Sequence, residues 1–380
     1  MVDVVIIRSN SIIYSPRVRK IASSLGRKYD VLVLGWNREQ ASKEIINDYI
    51  ARLKLFNLRA PLGKSSLLLY MSLFWIWTLI NLVLYKPKVV HACDLDTALP
   101  CYLYKIVFRK RLVFDVCDRY AMAHINPKLR MVYYMVNLCE QLIAKHSDVL
   151  ITVAEKLLMT FKNRPKLTAL IMNCAYDDNY VIGNQNTQHL NKKHRIEEEE
   201  EIDDNVFSLL YTGNIVRNRG LEIVSCAIKD LKCIRFIIAG KPVDKRFLQE
   251  LVHVPNVEYK GLMLYRDALE LNYKSDAVVI LYDLSIPNNK FAMPNKLFEA
   301  MMYQLPVITN VAPELVRDEV GCGIIVDYND IHQIKNSIIT LRDNPGLRME
   351  MGRNGREAFL RKYNWTSMER ELLGVYKNLL

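Results

Sequence analysis

The sequence lacks any pair of cysteines in a CxxC spacing, although it contains eight cysteines. This absence argues against the zinc sites that such pairs build. Several cysteines stand in apolar stretches, such as Cys139 after Leu138, where free thiols usually pack as small hydrophobic groups. Because no signal peptide precedes the strand-like run Val4-Val5-Ile6-Ile7, we expect a reducing, cytoplasmic location.

No short repeat and no nucleic-acid-binding motif organises the basic residues, yet positive charge is unevenly distributed. Residues 1–180 hold 26 Lys+Arg against 14 Asp+Glu, whereas the remaining residues hold 26 against 27. A basic half is expected to meet an anionic surface or substrate. Since its charges are scattered in small clusters such as Arg109-Lys110-Arg111, we expect anionic lipid or a lipid-linked phosphate rather than nucleic acid.

Residues 65–85 contain no charge, and as a helix of about 30 Å they are long enough to cross a bilayer. Trp75 and Trp77 suit a membrane interface, but polar residues such as Asn81 interrupt the segment. A strand follows so closely that a span would divide one sheet across the membrane. We predict a long helix that packs on the sheet, is partly exposed and touches the membrane surface; a true span is the alternative.

Strand-like and helix-like runs alternate along the chain, which is typical of parallel α/β sheets. Strands are predicted near residues 3–8, 30–35, 88–91, 111–115, 148–153, 168–172, 208–211, 233–239, 256–259, 276–281, 306–309 and 323–326. A chain of 380 residues is too long for one ordinary core. We predict a domain at 1–180, a linker of like-charge blocks at 181–205 and a domain at 206–364, with the helix at 365–380 packing back on the first domain.

The run Met293–Met301 is the most informative segment. Pro294 is predicted at the first position of a helix that lies between two strands. The free amides of its first turn, with Lys296 beside them, make an anion site suited to a diphosphate. Glu299, one turn further on, suits the paired hydroxyls of a ribose. The alternative is a capped core helix with a solvated Lys–Glu pair.

Two loops are expected to reach the same place. Gly213 allows close approach of a ligand to the backbone. Arg217 and Arg219 come next in the chain, and their guanidinium groups can bind phosphate oxygens. This loop is not a Walker A sequence. Gly240 and Lys241 follow another strand. Ligands bind at the carboxyl ends of parallel strands, so these loops and the helix at 294 are predicted to converge.

The order of these motifs resembles the retaining glycosyltransferases of family 4. Arg219-Gly220, Ala239-Gly240, the run 294–301 and Pro306-Val307-Ile308-Thr309 follow the family order, and the run 294–301 carries the resemblance most strongly. Further similar segments lie at 16–19, 33–36, 90–94, 114–115, 148–152 and 363–365. The resemblance implies an α/β GT-B fold, with two Rossmann-like, doubly wound parallel-sheet domains facing a central cleft.

The resemblance also implies a donor site. Glu299 matches the residue that binds the donor ribose, and Asn295 and Lys296 match positions near the diphosphate. Arg219 stands where the family usually has a phosphate-binding lysine, and the segment Gly240-Lys241 lies near the base. The other expected donor-site residues share these loops and this helix: Gly213, Asn214, Arg217, Pro294 and Leu297.

Catalytic and acceptor residues are expected in both halves. Lys296 and Arg219 are predicted to stabilise the leaving diphosphate. Asp118 is the nearest polar candidate for a histidine that the family often has; as an alternative, it turns the chain after a strand. For the acceptor, we predict Ser9 and Asn10, with Arg17 and Arg19 in addition.

Arg17 and Arg19 stand in the first turn of a predicted helix, where basic residues oppose the dipole. We therefore hypothesise that they hold an acceptor phosphate, and two solvated arginines are the alternative. The chain departs from the family at three places. Phe291 replaces a glutamate, Asn214 replaces a phosphate-binding arginine, and the first loop reads Arg8-Ser9-Asn10-Ser11 instead of having paired glycines.

The resemblance implies a retaining hexosyltransferase that moves a sugar from a nucleotide sugar to a hydroxyl by front-face displacement. It implies no metal or other cofactor. The expected partners are the donor, a glycan or lipid-linked acceptor in polysaccharide or oligosaccharide synthesis, and an anionic membrane on its cytoplasmic face. The alternatives are a nucleotide-sugar epimerase of the same fold and a non-catalytic, membrane-peripheral nucleotide-binding subunit.

Overall fold

A computed structural model describes residues 2–11, 16–38, 52–60, 67–126, 128–177 and 206–380. The chain divides into two compact units. The first unit comprises Met1–Met172 and Thr366–Leu380, and the second comprises Asn173–Trp365. The predicted linker at 181–205 lies outside the described residues, so its role stays a prediction.

The first unit is built on a sheet of seven parallel strands. They are β1 (Val4–Ser11), β2 (Val31–Trp36), β3 (Arg52–Phe56), β4 (Val89–Cys93), β5 (Arg111–Val116), β6 (Val149–Thr152) and β7 (Leu167–Leu170). The helices are α1 (Pro16–Gly26), α2 (Leu67–Tyr85), α3 (Leu95–Phe108), α4 (Tyr120–His124), α5 (Arg130–His146) and α6 (Glu155–Met159). The strand order is β3-β2-β1-β4-β5-β6-β7, so the direction of winding reverses between β1 and β4.

The inner strands of this sheet are continuous apolar runs, as expected for strands that helices cover on both faces. Val4, Val5, Ile6 and Ile7 in β1 are all fully buried. The edge strand β3 was not predicted, because Arg52 and Lys54 interrupt its apolar pattern and it is only partly buried. Charged residues are usual on edge strands, where they limit pairing with other chains.

Helix α2 packs on the sheet through aromatic side chains, as predicted for residues 65–85. The Phe74 ring stacks on Trp36 with centroids 5.1 Å apart, and Trp77 contacts Phe56. Asn81, one of the polar residues that interrupt the segment, is buried. Among the described helices, none combines the length and apolar character needed to traverse a membrane.

The second unit contains six parallel strands in the order β10-β9-β8-β11-β12-β13. They are β8 (Phe207–Thr212), β9 (Ile234–Ala239), β10 (Val257–Tyr259), β11 (Ala277–Ile280), β12 (Val307–Thr309) and β13 (Gly323–Ile325). Its α-helices are α7 (Leu221–Ile228), α8 (Lys245–Val252), α9 (Tyr265–Glu270), α10 (Asn295–Met302), α11 (Ile331–Asp343) and α12 (Pro345–Arg361). The last helix, α13 (Trp365–Lys377), continues into the first unit. Both sheets therefore have the predicted doubly wound, Rossmann-like order.

Close backbone contact fixes α12 against α10, the helix that carries Lys296 and Glu299. A Cβ added at Gly352 in α12 would lie 2.0 Å from the carbonyl oxygen of Gln304, just after α10. One turn later, a Cβ at Gly355 would lie 3.5 Å from the Met301 Cα. Glycines thus set the distance between these helices, and with it the position of the α10 backbone.

We predict that Gly352→Ala lowers the free energy of unfolding by about 2 kcal/mol, because the new methyl group meets rigid backbone. Gly346→Ala in the same helix is the matched control, since nothing lies within 4 Å of its added Cβ. The control is expected to be neutral or slightly stabilising. Chemical denaturation measures both variants, and equal effects would contradict this account of the α10–α12 contact.

Candidate functional site

The winding of the second sheet reverses between β8 and β11, which are neighbours. Such a switch point opens a crevice at the carboxyl ends of the strands, where α/β proteins bind ligands. Gly213 follows β8 and Tyr282 follows β11 at this edge. The two loops are joined by a hydrogen bond from the Asp283 amide to the Asn218 carbonyl, at 3.1 Å.

The loops after β8 and β9 touch through their glycines. Gly240 has φ near +138°, and a Cβ there would lie 1.9 Å from the carbonyl oxygen of Gly213. The Gly213 amide donates to the Ala239 carbonyl at 2.8 Å. Only glycine at position 240 allows this approach, so the contact fixes one wall of the crevice.

Lys296 reaches the same wall from the first turn of α10. Its Nζ lies 3.3 Å from the position of a Cβ on Gly213 and 4.9 Å from the centroid of the Tyr211 ring. This placement confirms the predicted convergence of the loop and the helix. Burial opposes the Lys296 charge, but Tyr282, Tyr211 and Glu299 raise the Lys296 pKa, so the ammonium stays protonated at neutral pH.

Arg219 supplies a second cation at the switch point. Its guanidinium lies over the Tyr282 ring, 3.8 Å from the centroid. Burial raises the pKa of Tyr211, the ring that Lys296 faces, and the nearby Lys296 and Arg219 charges oppose that rise. Tyr211 in turn donates to the Asn214 carbonyl at 2.7 Å. Two fixed positive charges beside helix amides form an arrangement that can hold a diphosphate.

Glu299 lies one turn beyond Lys296 on α10 and is 7% exposed. Tyr265 donates a hydrogen bond to its Oε1 at 2.9 Å, which orients the carboxylate. A carboxylate only accepts hydrogen bonds, so it fits a ligand that presents hydroxyl groups. The predicted spacing of a cation and a carboxylate on one helix is therefore present.

Some predicted donor-site residues occupy other surroundings. Pro294 precedes α10 as its N-cap, with an extended ψ of 141°, so the prediction that it is the first helical residue is wrong. Leu297 is 1% exposed, and its side chain packs in the core. Arg217 pairs with Glu250 at 2.7 Å on the surface, so this structure does not place its charge beside Lys296.

The remaining predicted donor-site positions are accessible. Asn214 and Lys241 are exposed, and Asn295 is half-buried at the start of α10. Phe291, which replaces the family glutamate, ends a short 3₁₀ turn, Pro287–Phe291. The chain thus has an apolar ring where the resemblance leads us to expect a carboxylate.

The first unit has its own polar cluster at its switch point, between β1 and β4. Ser9 donates to the Asp96 carboxylate, and Arg8 pairs with Asp94. Asp94 also accepts from the Cys117 amide at 3.0 Å. Its backbone has φ of 62° and ψ of 171°, a region that is costly for any residue except glycine and is concentrated at functional sites.

Asp96 in this cluster is a candidate functional residue that the sequence reasoning missed. Burial and the neighbouring Asp94 raise the Asp96 pKa. A carboxyl group with a raised pKa at a switch point is suited to accept or donate protons and hydroxyl hydrogen bonds. The available signal was the pair of carboxylates, Asp94 and Asp96, that directly follows an apolar strand.

The other predicted residues of the first unit lie around this edge. Ser9 is buried in the cluster described above. For Asn10 only the backbone, within β1, is described. Arg19 is exposed on α1, and Asp118 is exposed just after β5. Their predicted acceptor and catalytic roles stay predictions.

Arg17 is placed differently from the prediction that it holds an acceptor phosphate. It is 5% exposed, and its Nε and Nη2 donate to the Asp115 carboxylate at 2.7 and 2.6 Å. Its Nη1 donates to the Ile171 carbonyl at 2.7 Å. Arg17 therefore joins α1, β5 and the segment after β7, and its charge is matched by a buried partner.

The same buried carboxylate extends the network to the C-terminal helix. His91 Nε2 lies 3.2 Å from Asp115 Oδ2, and its Nδ1 lies 2.7 Å from the Tyr376 hydroxyl. An ionised carboxylate only accepts, so Nε2 donates to Asp115. The network therefore connects β4 and β5 to α13.

His91, Cys93 and Asp115 form a group whose potential metal-ligand atoms lie within 4.8 Å of one another, all buried. Arg17 already occupies both oxygens of Asp115, and both nitrogens of His91 have hydrogen-bond partners. Burial and Asp115 raise the Cys93 pKa well above its usual value, which opposes a thiolate ligand. We interpret the group as a hydrogen-bonded core network rather than a metal centre.

Comparison with known proteins bears on this site. Residues 206–344 match a family model described as "Glycosyl transferases group 1". An uncharacterised glycosyltransferase of Methanocaldococcus jannaschii is 25% identical over 185 residues, which is 46% of this chain and 46% of that protein. The capsular polysaccharide biosynthesis glycosyltransferase CapM of Staphylococcus aureus is 24% identical over 47% of this chain and 48% of its own length. The matches to these curated relatives span about half of their length.

Solved structures resemble the whole chain. Sucrose-phosphate synthase from Thermosynechococcus elongatus has a TM-score of 0.78 at 15% identity and covers 100% of this chain and 99% of its own. Anabaena HepE in complex with UDP and glucose has a TM-score of 0.75 at 12% identity, with 100% of both chains covered. A putative UDP-N-acetylglucosamine 2-epimerase from Listeria monocytogenes has a TM-score of 0.66 at 12% identity, covering 99% and 96%. These likenesses confirm the predicted GT-B fold class.

We predict that Asp115→Asn lowers the free energy of unfolding by about 3–5 kcal/mol, because it leaves Arg17 buried without its counter-charge. Asp30→Asn is the control, since Asp30 pairs with Arg52 on the surface, where a loss below about 1 kcal/mol is expected. Urea denaturation at neutral pH measures both variants. Similar losses would contradict a structural role for the buried pair.

The same variant should show a defined pH dependence. Burial alone would raise the Asp115 pKa, but Arg17 and His91 hold it well below its usual range. The carboxylate therefore stabilises the fold fully above the unfolded-state pKa of about 4, and this stabilisation declines as the pH falls below it. The difference between the wild type and Asp115→Asn should thus shrink in acid, and a difference that grows would contradict the assignment.

Proposed function

Because residues 206–344 match the model of the glycosyl transferases group 1 family, we propose that the chain is a glycosyltransferase that uses a nucleotide-sugar donor. The observation that carries the proposal is the meeting of Lys296 and Arg219 at the β8–β11 switch point, with the Glu299 carboxylate one turn further along α10. The solved structures of HepE in complex with UDP and with UDP-glucose support a donor of this class.

The proposed donor contacts follow from charge and reach. Lys296, Arg219 and the first amides of α10 hold the diphosphate, whose negative charge grows as the sugar leaves. Glu299, oriented by Tyr265, accepts hydrogen bonds from the ribose hydroxyls. The contact between the backbones of Gly213 and Gly240 forms the wall along which we place the nucleotide.

We propose transfer with retention by front-face displacement, as in the family that the sequence resembles. The bond between the anomeric carbon and the leaving phosphate oxygen breaks, and the acceptor oxygen bonds to the same face of that carbon. The released phosphate oxygen takes the acceptor proton, so the reaction needs no nucleophile from the protein. Lys296 and Arg219 supply the positive charge that a metal supplies in other enzymes, and we propose that none is required.

For the acceptor, we propose a glycan or lipid-linked hydroxyl that contacts the first unit. The basic residues of this half suit an acceptor with a phosphate. The Asp96 carboxyl group at the first switch point, which Ser9 holds in place by a hydrogen bond, is suited to hydrogen-bond hydroxyl groups. The similarity to CapM supports a place in polysaccharide synthesis, and we propose that the protein works peripherally at the cytoplasmic face of a membrane.

A nucleotide-sugar epimerase is a second candidate, and the structural likeness to the Listeria monocytogenes protein favours it. An epimerase converts its donor without an acceptor, whereas a transferase releases nucleoside diphosphate only as sugar is transferred, apart from slow hydrolysis. Incubation of the purified protein with each nucleotide sugar alone separates the two. Conversion of a nucleotide sugar into an equilibrium mixture with its epimer, in the absence of an acceptor, would exclude the transferase proposal.

The first test is thermal stabilisation against a panel of nucleoside diphosphates and nucleotide sugars. We predict a stabilisation with one nucleoside and its sugar derivatives, and about tenfold weaker binding in Glu299→Gln, because a neutral amide is a poorer acceptor for ribose hydroxyls. Asp267→Asn is the control, since this exposed carboxylate lies on the same helix α9 as Tyr265 but is not proposed to contact the nucleotide. Absence of a shift with every nucleotide would contradict a donor site.

With the donor identified, Lys296→Ala should lower kcat/KM by about a hundredfold or more, because it removes a fixed charge from the leaving diphosphate. Lys290→Ala is the control, since Lys290 is exposed in the turn that precedes α10 and is not one of the proposed donor-binding residues. Release of nucleoside diphosphate and NMR of the product's anomeric proton measure the rate and the stereochemistry. An inverted product would contradict retention, and equal rates in the two variants would contradict the role of Lys296.

A further inference from the structure

Exposed apolar side chains are concentrated in one part of the first unit. More than half of the exposed large hydrophobic side chains among the described residues lie between residues 67 and 142. Scattered single residues of this kind are ordinary on protein surfaces, whereas contiguous patches mark interaction sites. The helices α2, α3 and α5 carry most of these side chains, and their arrangement decides whether the side chains form one surface.

Helix α2 has an apolar stripe on the side opposite to its packed aromatic residues. Leu69, Leu73, Ile76, Ile80 and Val83 recur at alternating spacings of four and three residues and are between 42% and 68% exposed. This spacing places them along one face of the helix. A helix that only served the core of a water-exposed domain would carry polar residues there.

Helices α3 and α5 continue the surface. Ile106 and Val107 on α3 are 56% and 70% exposed, and Met131, Met135 and Leu138 form a similar stripe on α5. Helix α3 packs against both α2 and α5. Helix α2 connects β3 to β4, α3 connects β4 to β5, and α5 lies between β5 and β6, so all three connections run in the same direction across the sheet. Because connections between parallel strands are right-handed, the three helices lie on one face of the sheet. We call the outer side of these three helices the apolar face.

Positive charge borders the apolar face at one edge. Each of the three helices ends just before a strand begins, so their last residues lie at the amino edge of the sheet. Lys86 after α2, Arg109 and Arg111 after α3, and Lys145 at the end of α5 are exposed there. The three helices contain two acidic residues, of which Glu140 is buried against Arg119 and Asp96 is bonded to Ser9.

We propose that the apolar face is a docking surface for an anionic lipid bilayer. Apolar stripes that enter the headgroup region beside a basic edge are the pattern of proteins that lie on a membrane without crossing it. The basic edge favours this occupant over the same face of a second copy of the chain, because the two acidic residues of these helices already have partners and the face brings no unpaired carboxylate to that edge. This proposal names the part of the chain that contacts the membrane, and it rests on the proposed function in assuming that the protein works at a membrane surface.

The test is sedimentation of the full chain with vesicles of neutral phosphatidylcholine and with vesicles that include phosphatidylglycerol, in the absence of any donor. Binding is expected to the anionic vesicles, to be weaker on the neutral ones, and to decrease as salt is raised. No binding to either vesicle, or equal binding to both, would overturn the proposal. Because nothing is turned over in this assay, its failure is distinct from a failure of donor binding.

Paired variants locate the surface. Ile76→Gln with Ile80→Gln should weaken vesicle binding about tenfold or more, whereas the matched pair Met349→Gln with Leu360→Gln, 68% and 54% exposed on α12, should leave it unchanged. Arg109→Gln with Arg111→Gln should weaken binding to anionic vesicles about fivefold per charge, and Lys229→Gln with Lys232→Gln is its control. Equal binding by test and control pairs would overturn the proposal.

Analytical ultracentrifugation without lipid addresses the competing occupant. A monomer at the concentrations of the vesicle assay is expected. A dimer that Ile76→Gln with Ile80→Gln converts to a monomer would show that the apolar face joins two copies of the chain, and would overturn bilayer docking. Circular dichroism and thermal unfolding of each variant confirm that the substitutions act on binding rather than on folding.

Discussion

Parallel pairing of the strands is the constraint on which the rest of this structure depends. Since neighbouring strands run in one direction, the residues that come after them gather at one edge of each sheet, and the residues that precede them gather at the other. In the second unit the first edge brings Gly213, Gly240 and Tyr282 together. In the first unit the opposite edge collects the basic ends of three helices. One topological rule thus supplies both a charged crevice and a charged border.

Features that depend on periodicity and on order along the chain could be predicted well from the sequence. Continuous apolar runs marked the buried strands, and the spacing of Lys296 and Glu299 placed both residues near one face of a helix, as observed. The strand Arg52–Phe56 was missed, because an edge strand with two charges has little of the alternation that identifies strands. Local pattern therefore sufficed for most of the fold and for the centre of the candidate site.

Pairing between distant residues could not be predicted. Arg17 in the first turn of a helix looked like an open anion-binding group, but its partner Asp115 lies 98 residues away, and only the folded sheet brings the two together. Arg217 likewise is matched by Glu250, a residue of a different helix. Asp96 was not predicted as a site residue for the same reason, since Ser9 and Asp94 create its environment only in the folded sheet. The sequence shows which side chains are charged, whereas only the folded structure shows which of these charges are already paired.

The bond between His91 and Tyr376 joins residues separated by 285 positions, and this has a consequence for the order of assembly during synthesis. The second unit is one continuous segment, so all of its residues leave the ribosome before the segment Thr366–Leu380 does. We therefore expect the second unit to complete its core first, while the sheet of the first unit still lacks helix α13. Until α13 packs, His91 and Asp115 are not fully buried. During that period water and chaperones can still reach the core of the nascent first unit.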